Sequence, residues 1–190
     1  QELDDSLPKG FVEKIKTRKP TTTSGKRKKF QRHKFELEVA SAKELSKESF
    51  YQRVFFDYRG RMFLSRSRLN YQGDDLPRSL IEFARAVEVN ATGFEYLLLH
   101  ASNLHEETGT VEERVAIGKK HLRTWIGYAN NKIGTYDQWK HLDDPLLFIR
   151  ACIELRDATT SKTLKLKKGF KSHLPVEVDQ SNSVIQHIAM

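Results

Sequence analysis

The chain has 190 residues, of which 38% are hydrophobic and 31% charged, with 33 Lys and Arg against 25 Asp and Glu. That length allows one domain, or two small ones, with a buried core. No stretch approaches the roughly 18 apolar residues of a membrane span, so no membrane partner is expected. The net charge of +8 is lopsided: residues 1–34 carry eleven basic and four acidic side chains, and the remainder is close to neutral.

The opening QELDDSLPKG is acidic and polar and has no secretory-leader pattern. With no initiator Met, the chain is expected to be a fragment or a processed product. Residues 1–34 read as a basic mobile arm, because Pro20, Gly25 and a Thr/Ser run cannot build a core. Its run Lys26, Arg27, Lys28 and Lys29 suits a polyanion, since each phosphate neutralised releases counterions. A solubilising tail is the plainer alternative.

Residues 35–173 read as a helical body. The first helix is expected over 35–50, where Phe35, Val39, Ala42 and Leu45 recur at helical spacing. A short β-hairpin is expected near 53–65, with Gly60 at the turn of Asp57-Tyr58-Arg59-Gly60-Arg61. There, guanidinium forks at Arg59 and Arg61 match phosphate oxygens and sugar hydroxyls, while Asp57 can hold one of them in place. A structural ion pair at a hairpin tip explains the same residues. A loop over 65–75 and a short helix over 78–87 follow.

Helices are expected over 90–105, with Asn90 or Thr92 as cap, and over 110–130, where TVEE has the shape of a capping box. Another starts at Pro145 behind Asp143 or Asp144 and runs to about Asp157. The polar stretch TTSKTLKLKKGFKSH connects it to a strand over 174–178. Cys152, the single cysteine, sits in the apolar pattern PLLFIRACIELR and reads as a buried thiol in a reducing compartment. The seven histidines lack zinc-ligand spacing.

The last seventeen residues, LPVEVDQSNSVIQHIAM, read as strand, turn and helix, with Asp179 at the strand's end. A carboxylate there suits Mg²⁺, which takes hard oxygen ligands. It also suits an Asx turn or a helix cap. Two-metal phosphoryl transfer needs a second carboxylate, and none is evident in the sequence.

Four stretches, in order, resemble the single-subunit, phage-type and mitochondrial DNA-dependent RNA polymerases. Asp57-Tyr58-Arg59-Gly60-Arg61 is similar to the family's Asp-aromatic-Arg-Gly-Arg signature. LNYQGDDLPRSLIEFA resembles its Asn-Pro-Gln-Gly stretch, and FEYLLLHASN the helix leading to His-Gly-Ala-Asn. LPVEVDQSNSVIQHIAM resembles its first palm motif, although Gln180 and Val184 stand where the family has Gly.

The resemblance implies a mainly α fold with small antiparallel β elements, part of a right-hand polymerase palm with a helical surround. Residues 174–190 would be the palm strand-turn-helix. It implies that Asp179 is catalytic and, with the Gln180 carbonyl, holds Mg²⁺. It also implies that Arg59 and Arg61 approach the template and the RNA–DNA hybrid, and that Gln186 and His187 stand behind the metal site. The partners implied are DNA template, RNA transcript and ribonucleoside triphosphates. The fingers and the second catalytic aspartate would lie beyond Met190, in a second polymerase chain, as in split phage polymerases, or in further sequence. On this reading the chain is a nucleotidyltransferase part, inactive alone. A phage protein in the host cytoplasm is expected ahead of a mitochondrial one. The competing expectation is a non-enzymatic nucleic-acid-binding protein with a basic arm. A metal nuclease would need a denser acidic cluster.

Overall fold

The structure, a computed structural model, describes residues 24–65, 68–105 and 107–176, with side chains from Phe30 onward. The elements are α1 (Ser24–Leu45), β1 (Val54–Phe56), β2 (Met62–Leu64), α2 (Asp75–Ser79) and β3 (Val87–Glu88), followed by α3 (Ala91–Leu104), α4 (Val111–Asn130), α5 (Tyr136–Trp139), α6 (Pro145–Ala158) and β4 (Lys171–Ser172). Two small antiparallel sheets, β1–β2 and β3–β4, accompany the helices. The fold is mainly α with small β elements, as the sequence implies.

Helices α3, α4 and α6 form the centre. Their apolar stripes meet at Leu97, Leu98 and Ala101, at Leu122, Trp125 and Ala129, and at Phe148, Cys152 and Leu155. Trp125 and Phe148 are fully buried and meet edge to face, with ring centroids 5.8 Å apart. The backbones of α3 and α4 approach closely at Gly118, where a Cβ would lie 3.1 Å from the Leu98 carbonyl oxygen and 3.0 Å from Ser102 Oγ. Burial pushes the Cys152 thiol well above its usual pKa, as expected of an inert core cysteine.

The caps of α3 and α4 follow their sequences. Asn90 accepts from the Gly93 N–H at 2.7 Å. Thr110 and Glu113 make a reciprocal capping box, at 3.2 and 2.8 Å. Helix α6 is different. Its N-cap residue, Asp144, makes no side-chain cap. Instead Asp75, on α2, accepts from the Leu146 and Leu147 N–H groups, both at 2.8 Å. Asp144 takes an ion pair from Arg78 at 2.9 Å. The two aspartates thus bind α2 to the start of α6.

Three boundaries differ from the sequence expectation. Helix α1 begins at Ser24, inside the expected arm, because Lys, Arg and Gln are good helix formers. The Arg32–Glu36 and Lys34–Glu38 pairs bridge its turns. The short helix expected over 78–87 occupies Asp75–Ser79, with Pro77 inside its first turn, where a missing N–H costs nothing. Val87 and Glu88 pair instead with Ser172 and Lys171. Of the strand expected over 174–178, residues 174–176 are not in a strand, and residues 177–178 fall outside the described residues. Pro175, which has no N–H to give a ladder, follows the buried Leu174.

Asp75→Ala leaves two N–H groups at the α6 terminus without their acceptor, so urea unfolding should show a loss of about 1–3 kcal/mol. Burial raises the Asp75 carboxyl against the opposing Leu146 and Leu147 hydrogen bonds. Its protonation linkage therefore favours the fold below the unfolded value of about 3.9, and that share is lost as pH rises through the higher folded value. Asp75→Asn should flatten this segment of the stability–pH curve.

Candidate nucleic-acid interface

The hairpin carries the first candidate residues. Strand β1 pairs with β2 in the register Val54↔Leu64, Phe55↔Phe63, Phe56↔Met62. The Phe55 and Phe63 rings stack with centroids 5.9 Å apart. Of the six strand residues only Leu64 is buried, so the ribbon stands out from the body. A lone two-stranded ribbon is marginal in water, and this one is tied down at its base. Gln72 accepts from the Leu64 N–H at 2.9 Å, and the Gln52 amide donates to the Leu69 carbonyl at 2.9 Å. Gln72 is itself held by an Asx turn, in which Asn70 Oδ1 accepts from its N–H at 2.9 Å.

At the tip, Asp57 organises the turn. Its Oδ1 accepts from the Arg59 and Arg61 N–H groups at 2.8 and 2.9 Å. Its Oδ2 takes Arg61 Nε at 3.0 Å and a terminal guanidinium nitrogen at 2.9 Å. Gly60 adopts φ 74, the left-handed conformation that closes the loop. Desolvation acts against the Asp57 charge, but the two backbone N–H groups and the Arg61 side chain outweigh it, so the carboxyl lies below its usual range. The Arg61 guanidinium also lies 5.6 Å from the Phe63 ring centroid. Arg59 rests 5.3 Å from the ring of Tyr58, which is 89% exposed. The tip therefore presents one fixed arginine, one arginine on an aromatic face, and an open ring. Phosphate contact and base stacking are the chemistry such a set can do.

Beside the hairpin's base is a cleft of about 290 Å³, lined by Phe30, His33, Lys34, Glu38, Arg68 and Asp74 among others. Lys34 pairs with both Asp74 and Glu38 there. Burial raises the Glu38 carboxyl, against the pull of Lys34. The cleft's carboxylates are already matched by that lysine.

The other expected site residues are placed less fully. The backbone of Lys26, Arg27, Lys28 and Lys29 is part of α1, ahead of the side chains described. Asp179 and Gln180 lie outside the described residues, as do Gln186 and His187. Among the described residues no group of three or more His, Cys, Asp or Glu stands close enough to hold a metal ion, and no helix is long and apolar enough to cross a membrane. Sequence reasoning missed Gln72 and Asp75. Both sit in the stretch LNYQGDDLPRSLIEFA, but their partners are Leu64 and the start of α6, which no local pattern reveals.

The sequence profile of the DNA-dependent RNA polymerases matches residues 87–190, more than half of the chain. The chain belongs to that family, in its single-subunit, phage-type branch. It is 32% identical over 84% of its length to the chloroplastic DNA-directed RNA polymerase 3B of Nicotiana tabacum, covering 16% of that protein. It is 28% identical over 98% of its length to the chloroplastic/mitochondrial DNA-directed RNA polymerase 2 of Arabidopsis thaliana, covering 18% of it. The mitochondrial polymerase 1 of Arabidopsis thaliana is 29% identical over 84% of the chain, which covers 16% of it. The chain thus spans a fifth or less of the length of the curated relatives it matches. The family match runs through Asp179 and Gln180, and the 98% alignment takes in the hairpin.

Gln72→Ala removes the acceptor of the Leu64 N–H. Amide hydrogen exchange at Leu64 should speed up by about tenfold, in line with the 0.5–1.5 kcal/mol of one hydrogen bond. An unchanged rate would show that the Gln72 hydrogen bond is not what anchors the ribbon.

Proposed function

We propose that this polypeptide is the part of a DNA-dependent RNA polymerase that brings the first palm aspartate, Asp179, and the hairpin contacts to template and hybrid. The family match across residues 87–190 carries this reading, and the Asp57-ordered tip supports the second half of it. The reaction is template-directed attack of an RNA 3′-hydroxyl on the α-phosphate of a ribonucleoside triphosphate, with pyrophosphate leaving. The Asp179 carboxylate and the Gln180 carbonyl are hard oxygen donors, the kind Mg²⁺ takes. When bound, Mg²⁺ would supply charge stabilisation to the transferring phosphate. Replacing the family's Gly by Gln180 leaves a backbone carbonyl available.

A single carboxylate is half of a two-metal donor set. The remaining palm and the fingers therefore come from other polypeptide, either a second chain or further sequence of the same one. The tip supplies Arg59 and Arg61 to phosphates, and the basic run Lys26, Arg27, Lys28 and Lys29 adds sequence-neutral attraction. The compartments in the relatives' names, chloroplast and mitochondrion, belong to those proteins. For this chain they set an organelle beside the phage-infected host cytoplasm as a working location.

The chain alone should make no RNA. Combined with the rest of the polymerase it should restore synthesis, and Asp179→Asn in that mixture should remove nearly all of it. Near-normal RNA from the mutant refutes the assignment. Arg59→Ala should weaken binding to an RNA–DNA hybrid and lower the slope of log K against log salt by about 0.9, the value for one phosphate. Arg61→Ala should act in the same direction and also release the Asp57 charge. Unchanged slopes in both would leave the tip a purely structural ion pair.

A further inference from the structure

The segment between α6 and β4 is a second basic surface, separate in sequence from the hairpin tip and the N-terminal arm. Between Asp157 and Glu177 there is no acidic residue, while Lys162, Lys165, Lys167, Lys168 and Lys171 all fall there. The backbone explains where they point. Thr159 bridges Leu166, the Thr160 N–H donates to the Lys165 carbonyl at 2.9 Å, and the Lys167 N–H donates to the Ala158 carbonyl at 2.8 Å. This small antiparallel turn sends Leu164, Leu166 and Phe170 against the main core. The alternation leaves Lys165, Lys167 and Lys168 exposed, with Lys162 exposed at the turn.

Among the described residues, the acidic residue adjoining this face in sequence, Asp157, is held by its own neighbour. Arg156 chelates both Asp157 oxygens, at 2.7 and 3.0 Å. Lys167 Nζ donates to the Asp157 main-chain carbonyl at 2.7 Å rather than to its carboxylate. Glu88 stands directly opposite Lys171 in the β3–β4 register, so Lys171 has an acidic neighbour and is set aside.

We propose that Lys162, Lys165, Lys167 and Lys168 form a docking surface for the phosphate backbone of a nucleic-acid duplex. Two properties favour this partner over others. The turn's own large apolar side chains are turned inward, so between Thr160 and Phe170 it offers no exposed aromatic or aliphatic anchor of the kind on which protein interfaces centre. That stretch likewise carries no exposed ring on which the bases of a single strand could stack. Flexible ammonium groups on an exposed turn are suited to sequence-neutral phosphate contact. Lys171 precedes Asp179 by eight residues, so this surface lies on the stretch that leads into the proposed palm segment. The proposal rests on the polymerase reading for the presence of a duplex, and on none of Asp179, Arg59 or Arg61.

The test compares the full 190-residue chain with K162Q/K165Q/K168Q, which spares the Lys167 contact to α6. Fluorescence anisotropy would follow a DNA duplex, an RNA–DNA hybrid and a single strand of equal length over a salt series, with circular dichroism confirming the fold. The variant should bind duplex about tenfold or more weakly at low salt, and its slope should fall by about 2–3, near 0.9 for each phosphate no longer neutralised. The arginine version, K162R/K165R/K168R, should restore both. The duplex that weakens more identifies the source, DNA or hybrid. An unchanged slope and affinity in a folded variant, or an equal weakening on single strands, overturns the proposal. If Arg59→Ala weakens hybrid binding while the lysine variant does not, this surface fails and the polymerase reading stands. Loss of polymerase activity on Asp179→Asn is read separately and does not depend on these lysines.

Discussion

The Asp75 carboxylate at the start of α6 is the contact on which the arrangement of this chain turns. It spans 71 and 72 residues to take the Leu146 and Leu147 N–H groups. On one side of it is the main core, around Trp125 and Phe148. On the other is a much smaller cluster of Ala42, Leu69 and Ile81, which carries α1 and the root of the hairpin. A cluster of that size buries too little apolar surface to stand by itself. Polar tethers carry the difference: Asp75 on the helix terminus, Arg78 on Asp144, and Arg150 on Glu82. The partial positive charge of a helix N-terminus makes a carboxylate the natural group for this join.

From that join the hairpin is placed in stages. Asp75 fixes α2, α2 follows the Asn70 turn, and that turn presents Gln72 to the end of β2. Directed hydrogen bonds act at the first and last of these stages, beside the buried side chains of Leu76, Leu69 and Leu64. The ribbon is consequently oriented with little hydrophobic cover, and its aromatic residues Phe55, Phe56 and Phe63 stay exposed.

Much of the helical body could be read from the chain. Asn90, the Thr110–Glu113 box and Pro145 are local signals, and local signals suffice where a helix supplies its own cap. The hairpin was legible for the same reason, through aromatic strands about Gly60. Three features were not. The acceptor that caps α6 is remote in sequence: of the expected Asp143 or Asp144, Asp144 does hold the N-cap position, but its side chain takes Arg78 rather than the helix N–H groups. Strands β3 and β4 are two residues each, too short to show alternation. Helix α1 starts early because a charged run can be helical without an apolar stripe, and composition alone suggested an arm. Of the candidate site, the pairing of Asp57 with an arginine was foreseeable from spacing. Which arginine it would hold was not, because that depends on how the Gly60 turn brings the Arg61 N–H and guanidinium to the same carboxylate.

The grip of Asp57 on Arg61 has a consequence for how a ligand is met. A free arginine has many rotamers to surrender on contact, and freezing such a side chain costs about 0.5–1.5 kcal/mol. Arg61 has already surrendered them in folding, with its fork aimed and its charge half shared. A polyanion arriving there would find a rigid peg, beside the looser Arg59 that can adapt to it. Stiff and compliant cations set two residues apart would let one hairpin hold register on a moving strand without locking it in place.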